Sequence, residues 1–441
     1  MITVFGTGTG AALSPDPALS SAGLVIGGRR HLDAAEPLLD PGAEQVVLGP
    51  LAPALDAVER YAEKGQDVVV LASGDPGFFG IVRALAERFG PAALDVRPGV
   101  SSVAAAFARA GLPWDDAAVV SAHGRDLRTA VNVCRAHPKT AVLTGPGAGP
   151  AELGAELAHA GARRILVVAS RLGDPAHESV ERVSPAEAAA RDWGDAVSVV
   201  LCLDEERVLA PMGTLAGPGR APARWALDES EFAHRDSMIT KFEVRALALA
   251  RLGPRPGDLV WDIGAGSGSV AVECARFGAA AVAVEKTVDG VARIRENAAA
   301  HGVDVRVVHG AAPTVLSDLA DPDAVFVGGG GRELTAIVTA CARRARRAVV
   351  VAVAAVDRVG AVRDALGAAG FACDGVLLQS SRLAPLPGDV SRLAAANPVF
   401  LVWGERPPPA SGPPSADLSE ISRTSRTSRT SRTSLDEGVV E

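Results

Sequence analysis

Aromatic side chains are scarce in this sequence: 11 Phe, 5 Trp and 1 Tyr among 441 residues. A core built on ring packing, as in an aromatic-rich β-sandwich, is therefore not expected. Cysteines number only five, at 134, 202, 274, 341 and 373, and none sits in a C-x-x-C pair. This argues against a disulfide framework or a zinc site and for a reducing compartment. Long apolar runs are missing too. The longest, near Ala348 to Val356, falls short of the roughly 18 residues of a membrane span and is β-branched like a buried strand. The opening MITVFGTGTG has no basic stretch ahead of a hydrophobic one, so a secretory signal is not expected and a cytoplasmic location is. Positive charge is in deficit, with 44 Lys and Arg against 52 Asp and Glu, a net charge of −8. Proteins that live on nucleic acid usually present a basic surface, so neither nucleic acid nor membrane is an expected partner.

What the chain does have is 47 glycines, 30 prolines and a 48% share of hydrophobic residues, largely small aliphatic ones. That suits α/β layers with many tight turns, and the length predicts two or three domains. From Pro407 the text is rich in Pro and Ser, then repeats Ser-Arg-Thr from Ser422 to Thr433. Such text has nothing to bury against its ordering entropy, so 405–441 is expected to be a disordered tail. The stretch 207–227, rich in Gly, Pro and Ala, reads as a linker between 1–206 and 228–404.

In the first part, short apolar runs such as Ile2–Phe5, Val68–Leu71 and Val197–Leu203 alternate with amphipathic stretches such as Ala54–Lys64 and Pro150–His159. Strand and helix in alternation predict mostly parallel sheets covered on both faces. A break near Leu112-Pro113 divides this part into two α/β lobes. The second part opens with a helix over 241–251 and continues as a doubly wound, Rossmann-like domain. Its last two strands, 373–379 and 398–403, are expected at an antiparallel edge.

The strongest motif is V-W-D-I-G-A-G-S-G-S at 260–269. A buried strand runs into a turn where Gly264, Gly266 and Gly268 can take backbone angles closed to other residues. A dinucleotide fingerprint is G-x-G-x-x-G, whereas here the spacing is G-x-G-x-G behind Asp262. That pattern suits a cationic ligand with an amino acid end, S-adenosylmethionine, better than a pyrophosphate. Glu285 ends the next strand, where a carboxylate can accept ribose hydroxyls.

With S-M-I-T-K-F-E-V-R-A-L-A-L-A-R-L at 237–252, H-G-A-A-P at 309–313, V-F-V-G-G-G-G at 325–331 and A-N-P-V-F at 396–400, the second part resembles the decarboxylating precorrin methyltransferase domains of cobalamin biosynthesis. The resemblance implies that Thr240, Gly264, Ala265, Gly266, Ser267, Gly268, Glu285, Gly310, Ala311 and Ala312 line the adenosylmethionine pocket, together with Asp262. It also implies that Lys241 and Glu243 stand beside the cofactor as candidate catalytic residues. Many relatives have Asp where this chain has Ala311 and Ser where it has Gly330.

In the first part, Gly6-Thr7-Gly8-Thr9-Gly10 reads either as a nucleotide loop or as a flexible turn. L-A-S-G-D-P-G-F-F-G at 71–80 ends a buried strand, where open α/β sheets bind ligands. With R-P-G-V-S-S at 97–102, L-T-G-P at 143–146, V-I-G-G-R-R-H-L at 25–32 and S-A-H-G-R at 121–125, this part resembles the tetrapyrrole methylase family in its precorrin-6Y branch. That resemblance implies adenosylmethionine contacts at Gly74, Asp75, Pro76, Ser101 and Ser102, with the Gly6–Gly10 loop facing the substrate. Together the resemblances imply two adenosylmethionines per chain. They also imply methylation of a tetrapyrrole at carbons 5 and 15, and loss of carbon dioxide from the ring C acetate. A substrate rich in carboxylates needs local cations in an acidic protein. The candidates are Arg29, Arg30, His123, Arg125 and Arg332, beside Lys241, each of which reads equally as a solvated surface charge. No metal is expected, and a homo-oligomer is. One rival reading, an RNA methyltransferase, predicts basic faces and stacking aromatics, which the composition does not supply; another, a protein with only one active methyltransferase domain, is opposed by two largely intact cofactor motifs.

Overall fold

The computed structural model describes residues 1–8, 13–194, 198–209, 216–217, 224–235 and 239–407. Most of the expected linker and tail lies outside them. The described residues run past residue 404, however. The last strand runs to Glu405, and the Arg406 guanidinium donates to the carbonyls of Ala342, Ala345 and Ala369.

Among the described residues three large sheets organise the chain. The first is all parallel, in the order β3-β2-β4-β1-β5, from β1 (Ile2–Thr7), β2 (Leu24–Gly27), β3 (Glu44–Val47), β4 (Val68–Ser73) and β5 (Leu94–Arg97). The second runs β6-β7-β10-β8-β9, from β6 (Ala118–Ser121), β7 (Lys139–Leu143), β8 (Ile165–Ser170), β9 (Ser179–Val183) and β10 (Ser198–Leu203). Here the expectation of parallel pairing needs correction, since only β6 and β7 are parallel. The eight-residue link from β8 to β9 is too short for a crossover, so those strands pair antiparallel, and β10 then enters the middle of the sheet antiparallel to both β7 and β8.

The third sheet, in the order β13-β12-β11-β14-β15-β19-β16, is doubly wound. Its parallel strands are β11 (Leu259–Ile263), β12 (Ala280–Glu285), β13 (Val305–His309), β14 (Ala324–Val327) and β15 (Ala348–Val353). The antiparallel edge is β16 (Ala372–Leu378) beside β19 (Val399–Glu405), as the sequence pattern indicated. Helices cover both faces, so alternate residues of one strand feed two cores. Leu259, Trp261 and Ile263 pack on one side of β11 and Val260 on the other. Between β16 and β19 the chain also makes an unforeseen hairpin, β17 (Ser381–Leu386) with β18 (Val390–Ala395). In each unit the glycine loops leave the carboxyl ends of parallel strands, where open α/β sheets hold ligands.

Candidate functional site

At the carboxyl end of β11 the chain turns through Gly264, Gly266 and Gly268, at φ of 69°, 57° and 73°. These are left-handed angles that side-chain-bearing residues rarely adopt. The loop is pinned to both neighbours: the Gly264 and Ala265 amides donate to the Val284 carbonyl, and the Gly328 amide to that of Ile263. A β-carbon on Gly264 would lie 3.0 Å from the Gly329 carbonyl oxygen, so two glycine loops touch through bare backbone. Beside them opens a cavity of 470 Å³. Gly264 to Ser267 form one wall, Gly328 to Gly331 another, and Thr240 and Lys241 a third, ahead of the helix Phe242–Leu252. Gly268 lies just beyond the cavity, as the residue capping the next helix.

Glu285 lies behind this loop, 7% exposed. One carboxylate oxygen accepts from the Gly266 amide at 3.0 Å, the other from the amide and hydroxyl of Thr287 at 2.9 and 2.8 Å. Burial pushes its pKa up, but those hydrogen bonds outweigh it and the carboxyl sits below its ordinary value. Asp262 behaves oppositely. It is 2% exposed, and burial raises its pKa to about 7, with the Ala271 amide opposing and the Glu285 charge adding. It does not line the cavity. Its carboxylate accepts from the Ala271 amide at 3.0 Å and so holds the first turn of the helix Ser269–Arg276 onto the strand. Gly310 adjoins Glu285 through an amide-to-carbonyl bond of 2.9 Å, and Ala311 and Ala312 follow it, Ala311 exposed and Ala312 packed toward the core.

The two catalytic candidates part company. Lys241 stands on the cavity wall, whereas Glu243 is held by Arg382 of β17 at 2.8 and 3.0 Å and is not among the lining residues. Arg382 also grips Glu229, whose pKa it lowers to about 2. Glu243 thus anchors the hairpin rather than facing the cavity. The sequence reading missed two contributors to the site. One is Gly328–Gly331, although four glycines after a buried strand were a visible signal. The other is Arg358, which lines the cavity, donates to the Gly331 carbonyl and had no motif to mark it. Arg332 is exposed on the same loop.

In the first sheet the glycines do something else. A β-carbon on Gly6 would lie 2.0 Å from the Gly74 oxygen and 2.3 Å from the Gly99 nitrogen. The carboxyl end of β1 and the loops after β4 and β5 therefore meet backbone to backbone, with the Gly74 amide bonded to the Thr7 carbonyl and the Gly99 amide to that of Gly74. Within this seam Asp75 accepts from the Gly77 amide at 2.8 Å and Pro76 is buried. Ser101 caps the helix Ser102–Ala110 through the Val103 amide.

Arg29 and Arg30 open the helix Arg29–Ala35, both exposed. Arg30 donates to the Ser73 hydroxyl at 2.6 Å and to His31 Nε2 at 3.2 Å. His31, which the sequence reading passed over, is 7% exposed, and burial with the Arg30 charge brings its pKa down to about 4. His123 and Arg125 follow β6. His123 Nδ1 faces the Thr144 carbonyl at 3.3 Å beside a cavity of 340 Å³. Arg125 lies 5.8 Å over the ring of Phe79, bringing the second lobe to the first-lobe loop. The proposed substrate cations thus fall in three places rather than one cluster.

Among the described residues no group of three or more His, Cys, Asp or Glu is placed to hold a metal, and no helix is long and apolar enough to cross a membrane. Residues 6–189 match the family model of tetrapyrrole (corrin/porphyrin) methylases, and residues 230–400 that of the precorrin methyltransferase domain. A Sinorhizobium protein named precorrin-6Y C(5,15)-methyltransferase (decarboxylating) is 39% identical over 340 residues, which is 75% of this chain and 79% of that protein. Two shorter relatives each match somewhat over a third of the chain. The cobalt-precorrin-7 C(5)-methyltransferase of Salmonella typhimurium is 35% identical over 39% of this chain and 85% of its own length. The probable cobalt-precorrin-6B C(15)-methyltransferase (decarboxylating) of Pyrobaculum calidifontis is 36% identical over 37% and 87%.

Proposed function

This chain belongs to the family of precorrin-6Y C(5,15)-methyltransferases (decarboxylating), and from that premise we propose how its two halves divide the reaction. The chain methylates precorrin-6Y at carbons 5 and 15 at the expense of S-adenosylmethionine and removes carbon dioxide from the ring C acetate, leaving a methyl group there, a step of cobalamin biosynthesis. In this reading residues 1–206 methylate carbon 5, and residues 228–404 decarboxylate and methylate carbon 15, joined by the linker 207–227 and followed by the tail 405–441. Each half binds one adenosylmethionine. The half-length relatives, named for carbon 5 and for carbon 15, support this division.

The observation that carries the proposal is the 470 Å³ cavity at the carboxyl ends of β11 and β14, walled by two glycine loops with a lysine among its lining residues. Its residues fit the ligand. Gly266 and Gly329 leave open space where a β-carbon would stand, and Glu285 holds the loop with an anionic carboxylate at its back. Thr240, Gly264–Gly268 and Gly328–Gly331 would hold adenosylmethionine there, with Glu285 and the Gly310–Ala312 turn at one end and Asp262 fixing the loop from beneath. When bound, it supplies a methyl group on a positively charged sulfur. The protein's task is then alignment and exclusion of water rather than activation. Lys241 and Arg358 bring positive charge to the cavity, suited to holding a substrate carboxylate or to assisting protonation of the macrocycle that accepts the electron pair left by carbon dioxide. In the first half, Gly74, Asp75, Pro76, Ser101 and Ser102 hold the second adenosylmethionine. Arg29, Arg30, His123 and Arg125 take the acid side chains of the substrate, and Arg332 does so in the second half.

We also read the chain as a cytoplasmic homo-oligomer. The hairpin β17–β18 supports self-association, since Leu383, Val390 and Leu393 are 77%, 56% and 68% exposed. The deciding experiment is calorimetric titration with adenosylmethionine, followed by incubation with precorrin-6Y and mass analysis. Two sites per chain, and a product gaining two methyls and losing one carbon dioxide, are expected. One site in the wild type would overturn the division of labour.

A further inference from the structure

Away from both glycine sites, a crevice runs between the second sheet's unit and the third. The units are joined there by Arg128, which grips Asp323 at 2.6 and 3.0 Å, and by the Asn132 side chain donating to the Gly257 carbonyl at 3.0 Å. Two adjoining cavities of 400 and 300 Å³ share Arg135 and Arg306 in their walls. Arg135 belongs to the helix Leu127–Ala136 of one unit and Arg306 to β13 of the other. Arg163 and Arg295 line the larger cavity as well.

The crevice holds more positive charge than its carboxylates neutralise. Arg164 and Arg207 are matched by Asp204 and Asp304, Arg128 by Asp323, and Arg344 by Asp321. Glu156 and Asp126 also line the smaller cavity, but neither comes within ion-pair distance of Arg135 or Arg306. Arg135, Arg163, Arg295 and Arg306 remain, with Arg346 on the wall of the smaller cavity, and none of their side chains makes a hydrogen bond or ion pair among the described residues. Arg135 is only 9% exposed and Arg306 half-buried. A guanidinium removed from water without a counter-charge is costly, and two facing each other more so. Burial, then the charges of Arg306, Arg164 and Arg128, bring the pKa of Arg135 down to about 10. The location separates this crevice from methyl transfer. It touches Ala280 and Ala281 at the amino end of β12, whereas the glycine cavity opens at the carboxyl ends of the same sheet.

We propose that this crevice binds a small multivalent oxyanion, of the phosphate or polycarboxylate class, held between Arg135 and Arg306 with Arg163 and Arg295 at its edge. Guanidinium forks match such oxygens in geometry and charge. Because the two central arginines come from different units, a bound anion bridges them and stabilises the joined state, as does any ligand that binds only the folded form. The inference stands whichever half performs which chemistry.

The test uses the full chain at constant ionic strength set with sodium chloride. Inorganic phosphate and citrate are titrated separately, by calorimetry and by thermal melting. Saturable binding of one anion per chain with a rise in melting temperature is expected, and the tighter of the two identifies the class. Arg306→Gln and Arg135→Gln should each weaken that binding at least tenfold while leaving adenosylmethionine binding unchanged. Without anion, Arg135→Gln should melt no lower than the wild type, because it relieves an uncompensated charge. No saturable binding of either anion overturns the proposal, and so does an unchanged affinity in Arg306→Gln. That second variant decides the matter alone if Arg135→Gln fails to fold, since Arg306 is only half-buried.

Discussion

The two glycine sites use the same residue for opposite ends. In the third sheet Gly264 meets Gly329 through bare backbone, but three other glycines open space, since a β-carbon on Gly266, Gly329 or Gly331 would meet nothing within 4 Å. In the first sheet they close it, bringing Gly6, Gly74 and Gly99 into contact through their backbones. One set makes room for a ligand and the other lets three chain segments touch. Substitution should therefore separate binding from stability. Gly6→Ala drives a methyl into two backbones that cannot yield without separating the loops. We expect it to cost about 3 kcal/mol, at the upper end of ordinary overpacking, and to abolish methylation at carbon 5. Gly329→Ala should change stability by no more than about 0.5 kcal/mol, because its methyl enters the cavity, while weakening cofactor binding in that half. Melting of the two variants, with calorimetry on each, checks this. Equal losses of stability would erase the contrast.

A smaller effect sharpens it. Glu285→Gln keeps the side chain's shape but loses the charge and one acceptor oxygen behind Gly266. It should lower affinity at the C-terminal site about tenfold, roughly 1.4 kcal/mol, and leave the N-terminal site untouched. Lys241→Ala should slow decarboxylation several-fold without altering cofactor affinity or methylation at carbon 5. Mass spectrometry separates these outcomes, because loss of carbon dioxide and gain of methyl shift the mass in opposite directions. Unaltered decarboxylation in that variant would remove Lys241 from the site.

The contrast also explains what could be read from the sequence. The C-terminal loop was legible because its parts are contiguous: a buried strand, then three glycines, then a helix. Its other walls come from distant text, and Arg358 reaches the cavity only because β15 lies beside β14 in the sheet order. The seam of the first half depends on β1 lying between β4 and β5, a neighbourhood that chain order does not disclose. The motifs around Gly74 and Gly99 were visible there, but their contact was not. Glu243 misled for a related reason. Its partner Arg382 sits on a hairpin whose first strand contains Pro385 and whose alternation faces solvent, so no core pattern announced it. His31 lay in quoted text and was passed over because a lone histidine carries no spacing signal.

Acid–base behaviour gives the gentlest test of the comparison, since buried His31 in the first half and buried Asp262 in the second act in opposite directions. In the first half His31 has its pKa lowered from 6.5 to about 4. Between those values the unfolded chain holds a proton that the folded chain does not, so stability rises with pH across the window and is lost on acidification. In the second half Asp262 has its pKa raised from 3.8 to about 7. There the folded chain keeps a proton the unfolded chain has released, so stability falls as pH rises from about 4 to 7. Moving from pH 7.5 to 5 should weaken the first half and strengthen the second, each by on the order of 1–3 kcal/mol. Hydrogen exchange of peptides from β1 and β4 against those from β11 and β14, corrected for intrinsic rates, reads the halves separately within the intact chain. His31→Gln should flatten the first trend. Asp262→Asn should flatten the second and raise stability at pH 7.5, because asparagine keeps an oxygen for the Ala271 amide without a buried charge. If both halves gain or both lose protection on acidification, then His31 and Asp262 are not the groups that govern them.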